Sequence, residues 1–457
     1  MTDQKTSYQP KQIDIDSITL TNFQGQTLNL NNLFFSFNLY EDLFTSTMSI
    51  EVKIVDANSI LEDFPIAGEE LLYIKFQTPT TENFIEGFFD VYKVSDRQKL
   101  EERSDIYTLY GVSREFIFSA NKRLTKAYNK KKISTIVRNI FNEDLKSPNG
   151  NKSIFVEDTE GIHSFIAPKT DPFDFLNFLA SEAQSSQYPN QSNFIFYEDH
   201  NQFNFRTITN LIDQPAVEDL YWAEFNIESN SQNVQDDSTK IIDIVYLNQF
   251  DFIKQTDAGL FGTNSFVIDP ILKKTQSFRF VYDKDFDKLK TMGGNKIITP
   301  ITSHTENSGQ GLSRYFTSRL SDQQYSQTSY LKDRITQDND VFLFHPTKRQ
   351  KFIDSTTASN AGLNNVGFEI LIAGNSMFKP GDMINLYIPS NSMDEDNDQT
   401  FNKYFGDVGN AKFLVVRVEH VYSKDSNEYY TKMKVVKDSY AQPISSSMDD
   451  NGNVGGS

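Results

Sequence analysis

The stretch Thr47-Met48-Ser49-Ile50-Glu51-Val52-Lys53-Ile54 decides how this chain folds. On an extended backbone Met48, Ile50, Val52 and Ile54 fall on one side and Ser49, Glu51 and Lys53 on the other, the period-2 pattern of a strand with one buried face. Outward from it the pattern recurs. Residues 72–76 and 88–94 read as further strands, and Gly68, Pro79 and Gly87 punctuate the run as turns. Strand after strand with no helix between them makes a β-sandwich or small barrel of residues 1–112.

From Ser113 the period changes. Ile133, Ile136, Val137, Ile140, Phe141 and Leu145 trace one stripe of an α-helix, stopped by Pro148-Asn149-Gly150. A second helix opens at Asp171-Pro172, a good N-cap followed by proline at the first helical position, with Phe173, Leu176, Ala180 and Ala183 on one face. Residues 193–197 and 202–208 then read as a hairpin around 198–201. Together these make a small α/β domain at 113–210. The region 211–349 is an irregular mixed one, with strand-like stretches at 241–247 and 277–282 that partly complete the β-domains. Alternation returns after Gly367, in Phe368, Ile370 and Ile372, in Ile384, Leu386 and Ile388, and at 413–420 and 429–436. A second β-barrel-like domain at 350–444 follows, and the Ser/Gly/Asn/Asp-rich residues 445–457 read as a flexible tail.

Composition supports a mainly β chain with α+β insertions. Aromatics make up 13% of 457 residues, with 39 Phe and 21 Tyr, enough to fill several cores of pleated sheet. The formal charge of -18 argues against a nucleic-acid clamp, whose affinity comes from neutralising phosphates. With no cysteine, disulfides and thiolate metal sites are excluded. Residues 1–11 are polar and lack the apolar core of a signal peptide, and no apolar run is long enough to span a bilayer, so the expectation is a soluble protein made in the cytoplasm, with no membrane insertion.

A search for chemistry comes back empty. There is no phosphate-binding P-loop, and Gly309-Gln310-Gly311 lacks the third glycine of a dinucleotide fingerprint. The histidines, His163, His200, His304, His345 and His420, are scattered and form no HExxH pair, which points to structural or surface roles. The acidic run Asp394-Glu395-Asp396-Asn397-Asp398 begins like a calcium loop, but Gln399 stands where the sharp-turn glycine belongs and Phe405 where the bidentate glutamate belongs. Pairs such as Glu101 and Glu102 arise by chance among 62 acidic residues, and no GxSxG elbow occurs. The expectation is no catalytic, cofactor or metal site. One basic cluster, Arg123, Lys126, Lys130, Lys131 and Lys132, precedes the first helix, where lysines are unfavourable, so these residues belong in a solvated loop or against an acidic surface.

In order along the chain, seven segments resemble the baseplate hub protein of T-even-type contractile-tailed bacteriophages, a fold shared with the base of type VI secretion spikes. They are FNLYEDLFTSTMSIEVKIVDANSILEDFPIAGEELLYIKF at 37–76, IYTLYGVSREFIFSANKRLTKAY at 106–128, TDPFDFLNFLASEAQSS at 170–186, NFIFYEDHNQFNFRTITNL at 193–211, GLFGTNSFVIDPILKK at 259–274, IAGNSMFKPGDMINLYIPS at 372–390 and KFLVVRVEHVYSKDSNEYYTKMKVVKDSY at 412–440. The middle region matches weakly, and the acidic insertion around 394–407 and the tail depart from the pattern.

The resemblance implies two β-barrel-like tube domains per subunit alternating around a homotrimer, a pseudo-sixfold ring that joins a sixfold tail tube to a threefold central spike in the virion's tail baseplate. Its implied partners are the central spike protein, tail tube or tube-initiator proteins, the tape measure protein and baseplate wedge proteins, with DNA passing through unbound. The family carries no catalytic residues, and no cofactor is implied. A trimer would carry three times the charge of -18, which favours a channel wall that does not grip DNA. Thr45, Thr47, Ser49, Glu51 and Lys53 are the candidate channel lining, against the plainer reading of an ordinary solvent-facing sheet face. A virion-associated cell-wall hydrolase and the spike base of a cellular contractile injection system remain as alternatives.

Overall fold

The structure, a computed structural model, describes residues 11–57, 60, 64, 66–79, 81, 83–101, 104–145, 152–222, 239–269, 273–297, 314–319, 348–388, 402, 404–406 and 411–443. Its first unit is a sheet of β1 (Asp14–Thr21), β2 (Thr27–Asn29), β3 (Phe34–Asp42), β4 (Ser49–Asp56), β5 (Leu71–Gln77), β6 (Phe84–Glu101) and β7 (Ser104–Ser113), in the order β3-β4-β7-β6-β5-β1-β2. Ile50, Val52 and Ile54 all turn inward, as their alternation predicts, and meet Phe37, Leu39, Ile74, Phe76 and Phe89 in one core.

The second β-unit is a closed barrel. β13 (Ala216–Trp222), β14 (Lys240–Asn248), β18 (Val366–Ala373), β19 (Met383–Tyr387), β20 (Lys412–Ser423) and β21 (Glu428–Lys437) run in the order β19-β13-β14-β18-β21-β20, and β20 pairs back onto β19 to complete six strands. Phe368, Ile370, Ile384, Leu386, Phe413, Val415 and Met433 fill it, the inward residues of the alternation seen in the sequence. Two strands of the barrel, β13 and β14, come from the region between the α/β insertion and residue 350.

The two units are one sheet. β20 pairs antiparallel with β3 from Arg417↔Asp42 to Ser423↔Ser36, giving a 13-stranded sheet that runs through both. The β20–β21 hairpin also overshoots its own barrel: Tyr422 and Tyr429 are buried in the first unit's core. At its tip the Tyr429 N–H donates to the Lys11 carbonyl at 2.9 Å. The hairpin therefore extends the first sheet beyond β3 and reaches the residues just before β1.

Between these units the chain forms α1 (Arg114–Asn121), β8 (Ala127–Lys131), α2 (Ile133–Asp144), β9 (Ser153–Val156), β10 (His163–Ile166), α3 (Pro172–Glu182), β11 (Phe194–Glu198), β12 (Gln202–Thr207) and α4 (Ile208–Ile212). In α2 the predicted stripe is buried from Ile133 to Phe141, and Asp171 caps α3 by accepting the Asp174 N–H at 2.9 Å. The stop signal at 148–150 lies outside the described residues. At Ile208 the strand expected from the sequence instead starts α4, because Thr207 Oγ1 accepts the Asn210 N–H and caps a helix there.

The basic cluster is only partly in a loop, which holds Arg123 and Lys126. Lys130 and Lys131 lie on β8 and Lys132 is the N-cap of α2. Lys126 pairs with Asp144 at the far end of α2, beside Lys122, and Lys132 pairs with Asp158, so these cations serve the insert's own acids. A smaller three-stranded sheet of β15 (Gly262–Asp269), β16 (Lys274–Val281) and β17 (Arg314–Arg319) lies apart from the large one, with α6 (Lys348–Gly362) packed on β15 and β16; α5 (Phe252–Ala258) precedes it. No described helix is long and apolar enough to cross a membrane.

Candidate channel face and the junction behind it

The residues singled out from the sequence divide. Ser49, Glu51 and Lys53 point away from the core on β4, whereas Thr45 and Thr47 sit in the turn before it, where Thr45 Oγ1 donates to the Asp42 and Thr47 carbonyls at 3.3 Å. The outward face continues across neighbouring strands. Glu51 lies between Tyr110 of β7 and Asn38 of β3, and Asn38 faces Val421 of β20, so the face crosses the seam into the second unit without a break.

Charges on this face are matched in sign. Arg417 Nε meets Asp42 at 2.8 Å, Lys432 Nζ meets Glu369 at 2.7 Å, and Lys93 sits 4.6 Å over the Tyr110 ring. Burial raises the Glu419 carboxyl above its ordinary range, with Lys432 opposing and Glu369 adding to that rise. Lys53 is exposed on β4, and Glu51 precedes it by two residues on the same strand face. Among these described residues Arg417 and Lys432 each meet an acid and Lys93 meets a ring.

Behind the face, β3 turns Glu41 inward to complete burial. Its carboxylate accepts the His200 N–H at 2.9 Å and faces His200 Nδ1 at 3.0 Å; His420 Nε2 stands 3.5 Å away, long for a hydrogen bond. The Tyr429 hydroxyl lies 2.7 Å from His420 Nδ1. Burial alone would push the Glu41 carboxyl up, but His200 and His420 together hold it well below the carboxylate range. Burial pulls His200 down and Glu41 raises it further, leaving it above its ordinary value; His420, where burial wins, is left below. The consistent state is an anionic Glu41, a cationic His200 and a neutral His420 whose Nδ1 accepts the Tyr429 proton.

This junction joins three units: Glu41 from the first, His420 and Tyr429 from the second, His200 from the insert. The expected hairpin turn at 198–201 is its docking tip. Glu198 accepts the Met48 N–H at 2.9 Å and holds Lys152 at 2.6 Å, and Asp199 caps its own turn through the N–H groups of Asn201 and Gln202. Two contacts add to the joint: Thr78 and Ser376 exchange backbone-to-hydroxyl bonds of 3.1 and 2.8 Å.

Among the described residues no group of three or more His, Asp or Glu is placed to hold a metal. Phe405, at the calcium loop's would-be ligand position, is buried against Phe368. The runs at 309–311 and 394–399, together with Glu102, His304 and His345, lie outside the described residues, and Glu101 ends β6.

The fold has counterparts among solved tail proteins. A tail protein from Neisseria meningitidis MC58 superimposes with a TM-score of 0.51 at 9% identity, over 92% of this chain and 96% of its own. The 43 kDa tail protein of prophage MuSo2 from Shewanella oneidensis gives 0.50 at 8% identity, over 92% and 98%. An E. coli component of the type VI secretion system aligns more loosely, at 0.39 and 8% identity over 93% of this chain and 76% of its own, below the level at which a shared fold follows. No protein-family profile matches the sequence, and no curated protein matches it. The chain thus shares its mainly β fold, over 92% of its length, with two tail proteins of almost unrelated sequence.

Proposed function

We propose that this protein is the central hub of a contractile phage tail baseplate, a homotrimer whose ring joins the tail tube to the central spike and lets the genome pass. The observation that carries this reading is the seam between β3 and β20. Two β-units in one chain share one continuous sheet, so three copies would set six wall units around an axis. The fold's agreement with two tail proteins over nearly their whole length supports a structural part in a tail, and a structural part needs no catalytic site.

In this reading the tube domains are 1–112 and 350–444, the α/β domain is 113–210, the region 211–349 contributes β13 and β14 to the second tube domain, and 445–457 is the tail. Ser49, Glu51 and Lys53 line the channel with Thr45 and Thr47 at its rim, and the sign-matched face lets DNA slide without capture. The ring's partners are the spike, the tail tube or its initiator, the tape measure and the wedge proteins, all within the virion's baseplate. Native mass measurement and cryo-EM of the full-length chain, alone and with its spike, test the reading. A three-copy ring with six β-units around a pore is expected. A monomer or dimer at saturating spike, or a pore ringed by unpaired Lys and Arg with tight salt-sensitive DNA binding, would overturn it.

A further inference from the structure

A cleft of about 400 Å³ opens between the first β-unit and the insert. Phe84 and Phe88 of β6 supply apolar walls, and Arg114, Glu115, Lys152 and Glu198 bring charge to it. Most of that charge is already matched. Lys152 Nζ lies 2.6 Å from Glu198, whose second oxygen accepts the Met48 N–H, and Arg114 faces Asp90 at 3.7 Å.

Glu115 is the exception. Only 7% of it is exposed, it is one of the residues lining the cleft, and among the described residues its carboxylate makes no hydrogen bond or ion pair with any other residue, its one such contact being its own backbone N–H. This largely buried carboxylate feels Lys152, a cation already paired with Glu198, and is repelled by Glu198 and Asp90, so acid outweighs free cation around it and a further cation would be favoured there. A cation that suits the cleft has a definable shape. It must place positive charge at Glu115 and lay hydrocarbon against Phe84 and Phe88, as a cation on an apolar stem does. A metal ion fits poorly, since no described cluster of three or more ligating side chains exists to hold one.

We propose that this cleft binds an aliphatic cation, an ammonium or guanidinium on a short apolar stem, with Glu115 as its anchor. Such a cation comes either from a lysine or arginine side chain of a neighbouring protein or from a free diamine. Burial and the neighbouring Glu198 push the Glu115 carboxyl up to about 7, so cation binding near neutral pH expels a proton.

The test is calorimetric titration of the full-length chain with n-butylguanidinium and, separately, with putrescine, in two buffers of different ionisation heat. Saturable one-to-one binding with proton release is expected, weakened at least roughly tenfold by Glu115→Gln. Tighter binding of n-butylguanidinium assigns the site to a protein side chain, and tighter binding of putrescine to a free diamine. Failure of both probes to saturate in the millimolar range, or equal binding by Glu115→Gln, overturns the proposal. Should that variant fold poorly, the wild-type Glu115 carboxyl followed by carbon NMR decides: its titration midpoint must fall when the probe is present, and an unmoved midpoint refutes the site. None of these readouts depends on ring assembly.

Discussion

A Cβ built on Gly374 would lie 1.9 Å from Cδ1 of Tyr429, so the glycine is what lets that fully buried ring cross the backbone on its way into the first unit's core. Gly374→Ala is expected to cost at least about 2–3 kcal/mol, read as a lowered midpoint in denaturant. The junction behind Tyr429 makes stability depend on pH in two opposed ways. His200, held above its ordinary value, contributes stability that is fully present below its unfolded value of about 6.5 and is lost as pH rises through the folded one. His420, held below, contributes stability present above about 6.5 and lost as pH falls. Glu41's share disappears only in strong acid. Facing groups Asp199 and Lys379 oppose each other at His200. Thermal midpoints across about pH 5 to 9 should therefore peak near the unfolded histidine value, with His200→Gln flattening the alkaline limb and His420→Gln the acidic one. A monotonic wild-type curve would contradict this assignment of charges. Glu41→Gln, which strands His200 in the interior, should cost about 3–5 kcal/mol.

Among the elements, α2 offers the sharpest contrast between a mild and a severe change. Ile140 is fully buried in the insert's core, so Ile140→Val should cost about 1 kcal/mol, while Ile140→Asp buries an unpaired charge and should abolish soluble expression. Normal melting of the aspartate variant would mean the stripe faces a partner instead. Elements with strong local pattern, such as β4, α2 and the cap of α3, were legible in the sequence because a single window carries the whole signal. The helix α6 was not. Its sequence KRQKFIDSTTASNAG spreads Ser, Thr and Asn around every side, and Ala358 is its fully buried contact with the small sheet. β13 was missed for another reason: it alternates weakly, and only pairing with β19 and β14 defines it. Of the candidate site, the outward face of β4 could be read locally, but Glu41 and His200 meet across 159 residues and no spacing rule links them.

For the molecule as a whole, the shared hairpin makes two cores into one cooperative unit. Ending the chain at residue 411 removes β20 and β21, and with them Tyr422 and Tyr429 from the first core. That truncation should leave residues 11–113 open to protease as well, whereas independent units would leave them resistant. The same closure reaches back to the start of the chain, where Lys11 Nζ meets Glu428 at 3.0 Å across a separation of 417 residues. On the ribosome this sets a clock. At ordinary elongation rates, roughly 20 to 80 s pass between the emergence of Lys11 and that of its partner, and for nearly all of that interval β3 waits with the edge that β20 will pair unsatisfied. Each nascent copy must be shielded from its siblings on the same messenger until its last strands appear, so maturation of the first-made part is triggered by the last-made one.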